Sequence, residues 1–264
     1  MKTAIGCAPI DRLLEGGLEP GAITLVYGVP ATGKTNLCIQ AARAVVQQGL
    51  RVAYVDTEGV SFDRLRQIAG DVYDKMMAGV LFSSPHDLRD QERLVKQATQ
   101  IPDVGLIIVD SLNFHYRFDM DTDSAAAGRS MLAQLGALQA AARTSRIPVI
   151  VTAQVYERAD EVLPFGGRTM GHIVKTILEL RRGPGGPLGA TGKAAMSGAG
   201  FSPAARYDDE GPGFGPGDHD PLEMAADQEA VVLGLRQGVL RKHRAIPEGR
   251  TALFRIAETG LAPP

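Results

Sequence analysis

Gly28-Val29-Pro30-Ala31-Thr32-Gly33-Lys34-Thr35 lies between an apolar run, Ala22–Tyr27, and a stretch of helical periodicity, Lys34–Gln48. The segment fits the phosphate-loop (Walker A) pattern, and a strand before it with a helix after it is the setting in which that pattern binds nucleotide. Its glycines let the backbone wrap phosphate groups, so that successive N–H groups and the helix N-terminus face the negative charge. Lys34 offers a point charge to the β- and γ-phosphates, and the Thr35 hydroxyl is a ligand for Mg²⁺. A glycine-rich turn without function is the alternative, and the agreement of pattern with setting argues against it.

Outward from this loop, apolar runs alternate with helical patterns as far as residue 153, the sequence form of an α/β fold with a parallel sheet and helices on its faces. Strands are expected at Ala22–Tyr27, Val52–Asp56, Val80–Phe82, Leu106–Asp110 and Val149–Thr152. Helices are expected near Lys34–Gln48, Ser61–Ala69, Asp87–Gln100 and Asp123–Thr144. Further on, β-type runs occur without helices between them, at His172–Arg181, Val231–Arg236, Val239–Arg244 and Thr251–Ile256. These predict antiparallel C-terminal strands on one edge of the mainly parallel sheet. Residues 183–220 hold 11 of the 31 glycines, too little apolar surface to offset ordering, so they read as a flexible insertion within one domain spanning 1–264.

Three strand ends carry candidate chemistry. Leu106-Ile107-Ile108-Val109-Asp110 is an apolar strand closed by a carboxylate, which behind a phosphate loop is placed to hold Mg²⁺ together with Thr35. Asp56-Thr57-Glu58-Gly59 puts Glu58 just past another strand end, where α/β sites gather, as the candidate base for activating water. Gln154 follows the strand Val149–Thr152 and is a candidate to hydrogen-bond a terminal phosphate. Taken alone, Glu58 reads better as a surface carboxylate and Gln154 as a loop amide.

Composition sets limits. The charge of −2 excludes a protein that coats DNA by bulk electrostatics, because many phosphate contacts require many clustered Lys and Arg. No apolar run approaches the roughly 18 residues of a membrane span, and the first residues lack the apolar stretch of a signal peptide, so a cytoplasmic protein without a membrane partner is expected. Cys7 and Cys38 have no metal-ligand spacing and read as reduced, packed thiols.

The order and spacing of Gly28–Thr35, Asp56-Thr57-Glu58-Gly59, Leu106–Asp110 with Ser111, and Val151-Thr152-Ala153-Gln154-Val155 resemble the RecA-type recombinases. The opening Gly6–Gly21, Gly171-His172 and Pro247-Glu248-Gly249 extend the resemblance over nearly the whole chain outside the insertion. It implies a RecA-type P-loop NTPase core, ATP and Mg²⁺ as cofactors, and a role in DNA repair and homologous recombination. Two features depart from the strand-exchanging archaeal recombinase RadA. Lys34 comes too early for the helical DNA-binding domain that precedes the RadA core, and Lys242 stands where RadA carries an aspartate in the loop that caps ATP. The resemblance therefore implies an accessory ATPase that binds DNA weakly, hydrolyses slowly and exchanges strands little or not at all, with RadA as a partner and ATP-dependent self-association.

Residue by residue, the resemblance carries Arg66 to an adenine contact, Lys242 to the γ-phosphate, and Arg117, Arg158 and Arg168 to a single DNA strand. Against two of these, Asp119, Asp121 and Asp123 lie beside Arg117 in sequence, and Asp160 and Glu161 beside Arg158, and local pairing competes for their charge. Two other readings stand beside this one. A nucleotide-gated binding module would show no useful hydrolysis; a KaiC-like signalling ATPase would place two adjacent carboxylates where Glu58 is flanked by Thr57 and Gly59.

Overall fold

Strand β1 (Ile23–Tyr27) is buried along its whole length, as a strand covered on both faces must be. The computed structural model describes residues 2–158, 161–183 and 234–264. Before β1 stands a short helix, α1 (Ala8–Leu13); after it come α2 (Lys34–Gln47), β2 (Arg51–Asp56), α3 (Phe62–Ala69), α4 (Tyr73–Gly79) and β3 (Val80–Ser83). The chain continues through α5 (Leu88–Ala98), β4 (Val104–Asp110), α6 (Phe114–Asp119), α7 (Ser124–Ser145) and β5 (Val149–Ala153). A hairpin of β6 (Val155–Arg158) and β7 (Glu161–Pro164) leads to α8 (Gly167–Ile173) and β8 (Thr176–Arg182). The described chain closes with β9 (Leu235–Lys242), β10 (Thr251–Ala257) and β11 (Gly260–Ala262).

The main sheet runs β11-β10-β9-β8-β1-β5-β4-β2-β3. From β8 to β3 all neighbours are parallel, and from β8 outward through β9, β10 and β11 they are antiparallel. Successive side chains of a strand point to opposite faces, and two apolar layers result. Val26, Ile108, Leu178 and Leu180 pack with α1 to α4, while Leu25, Tyr27, Val109 and Val151 pack with α5, α7 and α8. Helix starts are fixed locally: Ser61 accepts from Arg64 N, Asp87 from Asp90 N and Asp123 from Ala126 N.

Two expectations are corrected. His172–Arg181 is not one strand: α8 runs to Ile173, because Met170 and Val174, four residues apart, bury one helical face, and β8 starts at Thr176. That strand is parallel to β1, so the antiparallel edge begins one strand later, at β9. Val231–Arg236 and Val239–Arg244 are likewise not two described strands. β9 runs unbroken from Leu235 to Lys242, with Gly238 inside it where a Cβ would come 2.8 Å from Ile10 Cδ1. The expected insertion at 183–220 lies, from 184 on, outside the described residues. Among those described, no helix is long and apolar enough to cross a membrane.

Candidate nucleotide site

The phosphate loop leaves β1 at the carboxyl end of the parallel sheet, where β2, β4 and β5 also end. Gly28 is required by a close approach: a Cβ there would stand 2.1 Å from Leu180 O. Gly33 (φ +100°) turns the chain into α2, and Ala31 takes φ +63° without being glycine. The first N–H groups of α2 have no carbonyl partner within the helix, which leaves them facing the loop's concavity. Thr32 Oγ1 donates to Val29 O at 2.8 Å and pins the loop from inside.

Lys34 Nζ donates to Gly28 O (2.8 Å) and Val29 O (3.2 Å). Burial pushes its pKa down, while the nearby charges of Glu58 and Asp110 act in the opposite direction. Asp110 is 3% exposed and accepts from the hydroxyls of Tyr54 (2.9 Å), Thr152 and Thr35. Burial raises its pKa; the three hydroxyls offset part of that rise, and Glu58 adds to it. Among the described residues no cluster of three His, Cys, Asp or Glu forms a metal cage. A cation here would therefore rest on Thr35, on Asp110 and on phosphate oxygens. With three hydroxyls already on its carboxylate, Asp110 suits a water-mediated contact to a well-hydrated ion such as Mg²⁺.

Glu58 owes its place to two neighbours. The Asp56 carboxylate accepts from the N–H groups of Glu58, Gly59 and Val60 (3.3, 2.9 and 2.7 Å), which folds the segment into a turn. Thr57 Oγ1 accepts from Ser111 N (2.7 Å) and donates to Ser111 O (3.0 Å), tying the end of β2 to the residue after Asp110. Gln154 stands beyond β5, and its Oε1 is buried with no hydrogen-bond partner among the described residues.

Comparison with known proteins agrees with this geometry. The Rad51 family model matches residues 1–188. The chain is similar to the DNA repair and recombination protein RadB of Methanococcoides burtonii, 38% identical over 67% of this chain and 81% of that one. It is also similar to RadB of Thermoplasma acidophilum, 34% identical over 99% and 93%. A crystal structure of the RadB recombinase superposes with TM-score 0.71 at 30% identity and covers 99% of both chains.

The chain belongs to the Rad51 family, in its RadB branch. Membership implies dependence on nucleotide and Mg²⁺ in general terms. In this RadB-branch chain Lys34, Thr35, Asp110 and Glu58 are brought together, with Gln154 on the adjoining strand end. Arg66 is not part of that group: its guanidinium lies 4.7 Å over the Tyr73 ring. The arginine of α3 that reaches α2 is Arg64, which donates to Asn36 Oδ1 (3.1 Å), Glu258 O (2.6 Å) and Ala257 O (2.7 Å).

Lys242 is also apart from the loop within its own chain. Glu179 pairs with Tyr27 beside the loop, whereas Lys242 pairs with Ile177 farther down the ladder and donates to Gly171 O at 2.6 Å. Arg236, at the loop end of β9, donates to Ala31 O at 3.2 Å, a contact that only its place in the basic run hinted at. Glu179, 2% exposed, holds Arg181 Nε (2.6 Å) and Arg241 Nε (2.5 Å); burial first, then the Glu179 charge, pushes the Tyr27 hydroxyl up to about 12. Of the candidate DNA contacts, Arg117 stacks over Phe118 (5.1 Å) and Phe165 (5.7 Å). Arg158 ends β6 and Arg168 lies in the first turn of α8; their side chains are outside the described residues.

Proposed function

We propose that the chain binds ATP with Mg²⁺ at Gly28–Thr35, Asp110 and Glu58, and binds DNA through the face formed by α6, the β6–β7 hairpin and α8. On this reading it is an accessory ATPase of DNA repair and homologous recombination, acting beside a main recombinase of the RadA kind rather than exchanging strands itself. One observation carries the proposal: Lys34, Thr35 and Glu58 converge on the buried Asp110 at the mouth of the phosphate loop.

Lys34 and the loop amides hold the phosphates and neutralise charge on them. Thr35 and Asp110 would hold Mg²⁺, which would supply positive charge to the phosphate oxygens. Glu58 orients water for attack on the γ-phosphorus and accepts its proton, and Gln154 donates to the phosphoryl oxygen from the neighbouring strand end. Hydrolysis measured with and without single-stranded DNA tests the reading. A slow rate that rises with DNA supports it; a rate that stays at background in both conditions leaves a nucleotide-gated binding module. RadA-catalysed strand exchange with and without this protein tests the accessory role, and no change would remove it.

A further inference from the structure

We propose that Asn113 is the positioning residue that passes the state of the nucleotide site to the β6–β7 hairpin. Its side chain is fully buried at the start of α6, three residues after Asp110. Nδ2 donates to Gln154 O (2.8 Å) and to Phe165 O (3.2 Å), and Oδ1 accepts from Gln154 N (2.8 Å). Gln154 is the residue immediately before β6 and Phe165 the one immediately after β7. The amide thus closes both roots of the hairpin onto the strand end that carries Asp110.

The geometry has no slack. Phe165 N also donates to Gln154 O (3.2 Å), so the two roots and Asn113 form one hydrogen-bonded ring. On the other side, Leu112 N donates to Thr152 O (2.9 Å), Thr152 Oγ1 donates to Asp110, and Gln91 Nε2 donates to Leu112 O (2.8 Å). A shift of Gln154 toward or away from a phosphate must therefore move Asn113, and with it Phe165 and the ring cluster on it. That cluster comprises Tyr156 at 4.9 Å and the Arg117 guanidinium. Buried polar groups cannot exchange partners for water, so displacement is transmitted rather than absorbed. Coupling of this kind is a free energy shared by two sites, and it is reciprocal.

The inference rests on the nucleotide reading above, and its test separates the two. ATP affinity is measured by calorimetry, and amide hydrogen exchange at 155–158 and 161–164 is followed with and without ATP·Mg²⁺. In the parent protein ATP should change exchange in these segments about fivefold or more. Asn113→Asp keeps the volume and the accepted bond but removes both donated ones, and Asn113→Ala removes all three. In both variants the ATP-driven change should fall below about twofold, while ATP affinity stays within about twofold of the parent's.

A residue that merely stabilises the fold would lower the melting temperature and leave the ATP-driven change intact; that result in either folded variant overturns the proposal. So does a parent protein that binds ATP with no change in hairpin exchange. A parent that fails to bind ATP removes the nucleotide reading first and this inference with it.

Discussion

Lys34 meets two carbonyls of its own loop and the fields of two carboxylates, and its depressed pKa reflects burial that an anion on the loop would offset. Lys34→Ala should therefore weaken ATP binding by about 100-fold or more, since a charge-assisted contact is lost from a low-dielectric site. Calorimetry reads this directly, and unchanged affinity would sink the site assignment. A second buried base, His243, also has its pKa pushed down. The His243 side chain is 1% exposed, and its Nδ1 accepts from Ala245 N (3.0 Å) and Ile246 N (3.1 Å), an arrangement open only to the neutral ring. Burial lowers its pKa; Glu19 and Glu15 act against that, whereas Lys2 and Arg244 act with it. Because the folded state binds the proton less well than the unfolded chain, the stabilisation is complete above the unfolded value of about 6.5. It is lost as pH falls from there toward the lower folded value. Melting temperature measured from pH 8 to 5 should decline, and His243→Asn, whose Oδ1 accepts the same two bonds, should flatten this part of the profile. An equally steep decline in the variant would assign the acid sensitivity elsewhere.

At the scale of elements, the helix that follows the phosphate loop is fastened to the C-terminal strands by one amide. Gln40, 6% exposed in α2, donates to Leu261 O (2.9 Å) and Gly6 O (3.3 Å) and accepts from Leu261 N (2.7 Å). The match is close enough that a Cβ on Gly260 would meet Gln40 Cδ at 2.8 Å. Gln40→Leu strands the Leu261 N–H and C=O in a buried place, which costs about 3 kcal/mol. Urea unfolding should show that loss as a lower midpoint with an unchanged slope. Nothing in the sequence marked Gln40, because a glutamine in an amphipathic helix looks the same whether it meets water or a strand 221 positions away. The parallel core was legible for the opposite reason. Its strands are short apolar runs closed by polar ends, and every helix expected before residue 153 appears within two residues of its place. The pattern failed after β5. There, α8 is too short to show a period, and the turn of direction from β8 to β9 depends on pairing between distant segments. The nearness of Lys34 and Asp110 was legible, because a phosphate loop and a strand closed by a carboxylate end at the same edge of such a sheet. Which arginine of α3 reaches α2 was not legible, because three-dimensional reach decides between Arg64 and Arg66.

Across the molecule, several of the described cations already have partners. Glu179 holds Arg181 and Arg241, Glu19 holds Arg244, Glu15 holds Arg250, and Arg117 lies on aromatic rings. A net charge of −2 leaves no overall surplus of positive charge for phosphates. Binding to a single strand should be weak and independent of sequence. With about three contacts, the plot of log affinity against log salt should fall with a slope of about −2. Tight binding unaffected by salt would point instead to base or shape readout. The same distribution of charge bears on assembly. In β9, Arg236 touches the phosphate loop at Ala31 O, and Lys242 stands six residues farther along the strand. Val239, paired with Glu179 beside the loop, is three residues from Lys242, so at 3.3 Å per residue the strand carries Lys242 about 10 Å from the loop end of the sheet. With its ammonium on Gly171 O, Lys242 points away from the loop of its own chain, which favours a cap-like role across a contact with a second copy. If it takes that route, ATP should increase self-association in sedimentation velocity, and hydrolysis per subunit should rise with protein concentration. Lys242→Ala should lose both effects, because the cation that stabilises charge on the neighbouring phosphoryl group is gone. The competing role is already visible: the ammonium caps the last turn of α8 at Gly171 O, a local contact worth about 1 kcal/mol. An alanine variant whose ATPase rate, ATP affinity and association all equal the parent's would leave Lys242 with that local task alone.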